Sequence, residues 1–201
     1  MAEHYFSENP TSAQARQPVD VSVWGHQLRL DSASGVFAAG RLDKGTAVLF
    51  SRAAPPSEPG TFLDLGCGYG VIACALAVAL PGAQVWAVDV NERALLLCGD
   101  NARSLGLGER VHPVRADEVP TGIVFDEIWS NPPIHIGKAA LHDLLTTWLA
   151  RLAPEGRAVL VVARNLGADS LQRWIDDSGF TCRRLGSAKG FRVFEVRRRP
   201  A

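Results

Sequence analysis

The chain has 201 residues, 47% of them hydrophobic and 21% charged, and its lysines and arginines balance its acidic residues to a formal net charge of zero. This composition excludes a wholly disordered chain and offers no global electrostatic pull toward nucleic acid. The length is met by one structural domain with a small N-terminal addition: residues 1–60 as an arm, a β-hairpin and a short helix, residues 61–201 as the core.

Residues 1–18 show no periodicity and read as an extended arm without the basic start and apolar run of an export signal. Val19-Asp20-Val21-Ser22-Val23 alternates apolar and polar residues, Gly25 and His26 allow a turn, and Gln27-Leu28-Arg29-Leu30 alternates again, which predicts a hairpin. Gly35-Val36-Phe37 opens a loop that reaches Asp43, a helix cap for Lys44 to Phe50. Ala54-Pro55-Pro56-Ser57-Glu58-Pro59-Gly60 then punctuates the chain.

From residue 61 strands and helices alternate. Strand 61–65 leads to helix 70–80. That apolar helix stops at Pro81 and is too short to cross a bilayer, so no membrane partner is expected. Strand 84–89 leads to a helix from Asn91 to near Gly106. Val111 to Arg115 is a short strand whose Pro113 suits a sheet edge. Phe125 to Ser130 is the next strand. Leu141, Leu144, Leu145, Trp148, Leu149 and Leu152 form one helical stripe that ends at Pro154-Glu155-Gly156. Ala158 to Ala163 is a continuous apolar run, as in a parallel strand covered on both faces. Helix 168–178 and a closing strand pair turning at Lys189-Gly190 complete the chain. The pattern predicts an α/β fold with a mostly parallel sheet, helices on both faces and a terminal antiparallel hairpin.

Residues 181–201 carry seven basic side chains against Glu195 alone, a local charge of +6. They suit either a phosphate-facing surface or an exposed strand whose arginines keep it from pairing with other chains. Cys67, Cys74, Cys98 and Cys182 form no C-x-x-C pair, no metal site is suggested, and reduced thiols of a cytoplasmic protein are the simplest reading.

Three segments that follow strands carry chemistry. In Asp64-Leu65-Gly66-Cys67-Gly68-Tyr69-Gly70 the glycines let backbone approach a ligand. The leading Asp64 argues against a dinucleotide, because a carboxylate in that loop would repel pyrophosphate. It suits the sulfonium and ammonium of S-adenosylmethionine, and residue 71 is valine where the dinucleotide spacing has glycine. Asp89 ends the next strand, where a carboxylate accepts ribose hydroxyls or caps the following helix; Asn91 is the better cap. Asp117, after Ala116, lies where an adenine amino group would sit or where a loop carboxylate meets solvent.

In Asn131-Pro132-Pro133 two prolines stiffen a turn and push Asn131 away from helical geometry. The Asn131 side-chain carbonyl and the Pro132 backbone carbonyl would converge on the two hydrogens of an amine and turn its lone pair toward the methyl donor. A plain Asn-Pro-Pro turn is the bland alternative. His135 touches substrate or caps the next helix, Phe37 covers the ligand or joins the core, and Lys138 meets a phosphate or solvent. Tyr5 and Phe6 stack on a base or pack the arm, and His142 is a surface residue.

His4-Tyr5-Phe6-Ser7, Gly35-Val36-Phe37, Leu42-Asp43-Lys44-Gly45-Thr46, the Asp64 loop, Asp89-Val90-Asn91 and Asn131-Pro132-Pro133-Ile134 occur in the order found in one family. In these segments the chain resembles the class I methyltransferases of the methyltransferase small domain group. The resemblance implies a Rossmann-like seven-stranded fold, S-adenosyl-L-methionine as cofactor with S-adenosylhomocysteine as product, and methylation of guanine N2 in small-subunit ribosomal RNA. It implies cofactor contacts by Asp64, Gly66, Cys67, Gly68, Asp89, Val90, Asn91, Ala116, Asp117 and Asn131. The amine would be oriented by Asn131, Pro132 and Pro133, with Phe37, Ile134, His135 and Lys138 toward substrate. Ile134 stands where many amine methyltransferases carry an aromatic residue. The expected partner is ribosomal RNA or a ribosomal subunit, met through the basic C-terminal hairpin or an oligomer, and the chain is expected as a monomer or homodimer. Alternative readings are methylation of a protein glutamine or small-molecule amine, or a non-catalytic cofactor-binding module that serves RNA assembly.

Overall fold

Apolar residues on both faces of a strand must be covered from both sides. The structure, a computed structural model that describes residues 16–36, 40–133 and 136–199, meets this demand with seven strands between two helical layers. The core begins with β3 (Thr61–Leu65), α2 (Val71–Ala79), β4 (Gln84–Val88), α3 (Glu92–Ser104) and β5 (Val111–Val114). It continues with β6 (Phe125–Ser130), α4 (Lys138–Leu149), β7 (Leu152–Ala163), α5 (Ala168–Asp177), β8 (Phe180–Ala188) and β9 (Phe191–Arg198). Before it stand β1 (Arg16–Val23), β2 (His26–Ala33) and α1 (Lys44–Arg52).

The strand order is β5-β4-β3-β6-β7-β9-β8, with β3 to β7 pairing in parallel and β9 antiparallel to both neighbours. The chain runs outward from β3 to β5, then returns to lay β6 on the other side of β3. The order therefore reverses between β3 and β6, and ligands of such sheets bind outside the carboxyl ends of the strands at that reversal. Pro113 lies on edge strand β5, where a missing N–H is tolerated.

Successive residues of each strand face opposite layers. Phe62, Val85, Trp129, Val159 and Val193 share one core with residues of α1, α2, α3 and the β1–β2 hairpin. Leu63, Ile128, Leu160 and Phe194 share the other with residues of α4 and α5.

The hairpin reverses at Trp24-Gly25, one residue earlier than the expected Gly25-His26. Both residues have positive φ, 48° and 83°, which fits the twist of a two-residue turn. An aromatic residue is strained there, and its contacts account for its place. The Trp24 ring meets Phe50 and Trp129 edge-on at 5.1 and 5.4 Å, and its indole N–H donates to the Ala53 carbonyl at 3.0 Å. Residues 16–18, expected in the arm, pair with residues 31–33 instead. A second difference lies at α4, which ends at Leu149, and at β7, which already begins at Leu152 through Pro154 and Gly156. From Phe125↔Leu152 to Glu127↔Arg157 β6 advances two residues while β7 advances five, and this bulge in β7 takes up the two strand breakers.

Asn101, 3% exposed, ties the hairpin to the loop after β3. Its amide donates to the carbonyls of Asp31 and Tyr69, both at 2.8 Å, and its Oδ1 accepts the Asp31 N–H at 2.8 Å. Asn101→Ala strands three backbone groups and is expected to cost about 3 kcal/mol in urea unfolding.

Candidate active site

The strand ends at the reversal are fastened to one another. The Ser130 hydroxyl at the end of β6 donates to the Leu65 carbonyl at the end of β3, 2.6 Å away. The N–H groups of Gly66 and Cys67 both reach the Val88 carbonyl at the end of β4, at 2.8 and 3.0 Å. Gly66 has φ +78°, and Pro133 Cδ lies 3.8 Å from where its Cβ would stand, so the glycine loop and the Asn-Pro-Pro turn touch.

Asp64 is fully buried. Its Oδ2 accepts the Ala73 N–H at 2.9 Å, in the first turn of α2, while Oδ1 has no hydrogen-bond partner among the described residues. Burial, with the nearby Asp89 charge, pushes its carboxyl up to about 8 despite the Ala73 hydrogen bond. The Tyr69 hydroxyl is likewise buried without a partner, and burial raises it. Two orphaned polar atoms beside a glycine loop are costly, and they fit a ligand with a positively charged polar end. A hydrogen bond to Cys98 and burial hold the Cys67 thiol well above its usual range.

Asp89 is 5% exposed and spans the loop. Its Oδ2 accepts the Gly68 N–H and its Oδ1 the Asn91 N–H, both at 2.9 Å. A carboxylate oxygen can accept from more than one donor. Asn91 caps α3, accepting from the N–H groups of Arg93 and Ala94, and its amide donates to the Gly35 carbonyl at 2.9 Å. It is fully buried, so its side chain serves the fold. Val90 is 50% exposed, an apolar surface at the same rim. Ala116 and Asp117 lie on a 3-10 turn after β5; both are exposed, and Asp117 stands 3.8 Å from the Arg115 guanidinium.

Asn131 follows β6. Its Nδ2 donates to Asp43 Oδ2 at 2.7 Å and to Thr46 Oγ1 at 3.1 Å. The same Asp43 oxygen accepts the Thr46 N–H at 3.0 Å and caps α1. A carboxylate only accepts, so it fixes which end of the Asn131 amide faces it, and Oδ1 is left as the acceptor on the other side. Gly45 permits the approach: a Cβ there would stand 2.9 Å from Asp43 Oδ2, 3.1 Å from Phe191 Cε1 and 3.2 Å from Asn131 Nδ2. Pro132 is buried, and the Pro133 carbonyl accepts the Ile136 N–H at 3.2 Å.

Asn131, Asp43, Thr46, Gly66, Cys67, Gly68 and Tyr69 thus line one cleft. Asp43 and Thr46 have no site role in the sequence reading; a helix cap and the family segment Leu42-Asp43-Lys44-Gly45-Thr46 are the signals that mark them. Lys138 is exposed at the start of α4, and His142 stacks on Trp174 with ring centroids 3.8 Å apart. Phe37, Ile134, His135, Tyr5 and Phe6 lie outside the described residues. Among the described residues no group of three or more His, Cys, Asp or Glu could hold a metal ion, and no helix is long and apolar enough to cross a membrane.

The chain is similar to several known proteins. The chain is 29% identical to the uncharacterized protein YbxB of Bacillus subtilis, over 98% of its own length and all of that protein. It is 36% identical to the ribosomal RNA small subunit methyltransferase C of Shewanella amazonensis over 69% of its length, and spans only 42% of that protein. Among solved structures, the T. thermophilus 16S rRNA N2 methyltransferase RsmC, in complex with AdoMet and guanosine, superposes with a TM-score of 0.76 at 23% identity. That match covers 95% of this chain and 52% of the other. The ribosomal protein L11 methylase of Lactobacillus delbrueckii subsp. bulgaricus gives a TM-score of 0.60 at 20% identity. The model of one family matches residues 27–195, and the chain belongs to it: the methyltransferase small domain family.

Proposed function

We propose that the chain is an S-adenosylmethionine-dependent N-methyltransferase acting on the exocyclic N2 of a guanine in small-subunit ribosomal RNA. The observation that carries this reading is the Asn131 amide, whose nitrogen is held by Asp43 and Thr46 so that its oxygen is a fixed acceptor next to the glycine loop. The names of the relatives support the choice of ribosomal RNA.

When bound, S-adenosylmethionine supplies an electrophilic methyl group on sulfur. The residues around it divide the remaining work. Asp64 and Tyr69 take its charged polar end with atoms that otherwise lack partners. Asp89, at the end of β4 beside the glycine loop, receives the ribose hydroxyls on its carboxylate, and Val90 gives the base an apolar surface. Ala116 and Asp117 stand at the outer end of the same rim. Asn131 Oδ1 and the Pro132 carbonyl accept the two N–H hydrogens of the target amine and favour a nitrogen whose lone pair faces the donor. The methylated nitrogen then loses its proton to solvent, so no strong base is needed.

The test uses purified protein, methyl-labelled donor and small ribosomal subunits. Label is expected in the RNA, and digestion to nucleosides should return it as an N2-methylated guanosine. Label in the protein fraction, or in a base other than guanine, would sink the reading.

A further inference from the structure

The basic C-terminal hairpin does not present its charges evenly. Arg183 and Arg197 pair with Glu195. Arg192 pairs with Asp169. Arg198 donates to the carbonyls of Leu152 and Ala150, and Arg199 to those of Phe180 and Asp176. These five arginines are engaged within the fold. Lys189, at the β8–β9 turn, has no hydrogen bond or ion pair among the described residues, and neither does the side chain of Arg164, which follows β7. Both are exposed, and both line one open groove of about 700 Å³ with Asn165, Asp169 and Phe191. Arg192 neutralises Asp169, so the groove's surplus charge is that of Arg164 and Lys189. The backbone joins the two cations, because the Arg164 N–H donates to the Gly190 carbonyl at 2.8 Å.

The groove opens on the rim that carries Asn131. β6 and β7 are parallel neighbours, so Ser130 and Ala163 end at the same edge of the sheet. Phe191 connects groove and active site: its Cε1 and Asn131 Nδ2 both lie within 3.2 Å of the point where a Gly45 Cβ would stand. We propose that this groove holds the single-stranded RNA next to the target nucleotide, with Arg164 and Lys189 on its phosphates and Phe191 against a flanking base. Two unpaired cations beside a half-buried aromatic ring match that ligand: phosphates attract point charges, and bases stack on ring faces without regard to sequence. The assignment rests on the RNA reading above.

The probe is a fluorescein-labelled twelve-residue oligouridylate, followed by anisotropy across a salt series, with small-subunit rRNA in parallel. Arg164→Ala/Lys189→Ala is expected to bind about tenfold more weakly, and the slope of log affinity against log salt should shrink by about 1.4, since each lost phosphate contact on a single strand removes about 0.7. Phe191→Leu should weaken binding about fivefold with the slope unchanged. The charge-preserving exchange Arg164→Lys/Lys189→Arg should keep the wild-type slope. Wild-type affinity and slope in the alanine double variant would overturn the groove assignment while leaving methyl transfer to RNA intact. An equal slope loss in the charge-preserving variant would overturn it as well, by showing that the effect is structural. Polyglutamate competing as well as RNA, with the same dependence on Phe191, would give the groove to an acidic protein segment instead. Wild-type protein that neither binds RNA nor labels it would remove the substrate reading itself, and the groove with it.

Discussion

Asn131→Ala is expected to lower kcat by about 10²- to 10³-fold, the usual loss when one preorganised polar group is removed from a reacting centre. The dissociation constant of the donor should stay within about threefold, because its charged end is proposed to meet Asp64 on β3 and Tyr69 in the loop that follows, not Asn131. Single-turnover label transfer and calorimetric donor binding separate the two. Asn131→Asp should be as poor as Asn131→Ala. A second carboxylate would replace the amide nitrogen that now sits 2.7 Å from Asp43, and two anions at that distance repel. If Asn131 were merely part of a stiff turn, aspartate would keep the turn and much of the rate. Retention of wild-type kcat in either variant would refute the assigned chemistry.

The same reasoning reaches Asp43, which touches Asn131 and not the amine. Asp43→Ala frees the amide to rotate and uncaps α1. The expected loss is about tenfold to a hundredfold in kcat, with about 1 kcal/mol of stability lost with the cap. Asp43→Asn keeps an oxygen that can accept from both Thr46 and Asn131, so it should recover most of the rate. A purely structural cap would restore stability in that variant and leave kcat unaffected in both.

The legible part of this molecule is the part written in local pattern. Asp64, Asp89 and Asn131 each follow an apolar run, so the strand pattern alone puts them on one rim. The proline in Val111 to Val114 marks the sheet edge. What escaped is nonlocal. Asp43 satisfies a helix cap eighty-eight residues before Asn131, and nothing in its neighbourhood announces that the same oxygen serves a second partner. The turn at Trp24 defies local preference because Phe50 and Trp129 hold the ring from elsewhere. Pro154 and Gly156 read as breakers, yet β7 carries both in a bulge opposite β6. The arginines of the last strands illustrate the same limit. Their number is plain in the sequence, but that Arg198 and Arg199 bind backbone carbonyls while Lys189 faces a groove with Arg164 depends on where β7, α5 and the final turn meet.

Donor binding should take up the charge of Asp64 and show it as a dependence on pH. Burial pushes the Asp64 carboxyl up to about 8, which favours the protonated form at pH 6 and 7. A sulfonium and an ammonium beside Oδ1 favour the ionised form, so binding expels a proton. The affinity is expected to climb about tenfold per pH unit from about pH 5.5 to 7.5 and to flatten near 8. Calorimetry in two buffers of different ionisation enthalpy should find nearly one proton released at pH 6.5. Asp64→Asn should bind more weakly at pH 7.5 and show no such slope. The fold feels the same group with the opposite sign. Because the native carboxyl is raised above its unfolded value, the native state holds a proton that the unfolded chain has lost, and stability falls as pH rises from about 4 to 8. Asp64→Asn removes that loss, so its melting temperature should exceed wild type by a margin that widens between pH 5 and pH 8, by on the order of 5 °C or more if a few kcal/mol are at stake. A donor affinity flat in pH together with a constant melting difference would mean that Asp64 is ionised throughout and that its unpartnered oxygen is not what receives the cation.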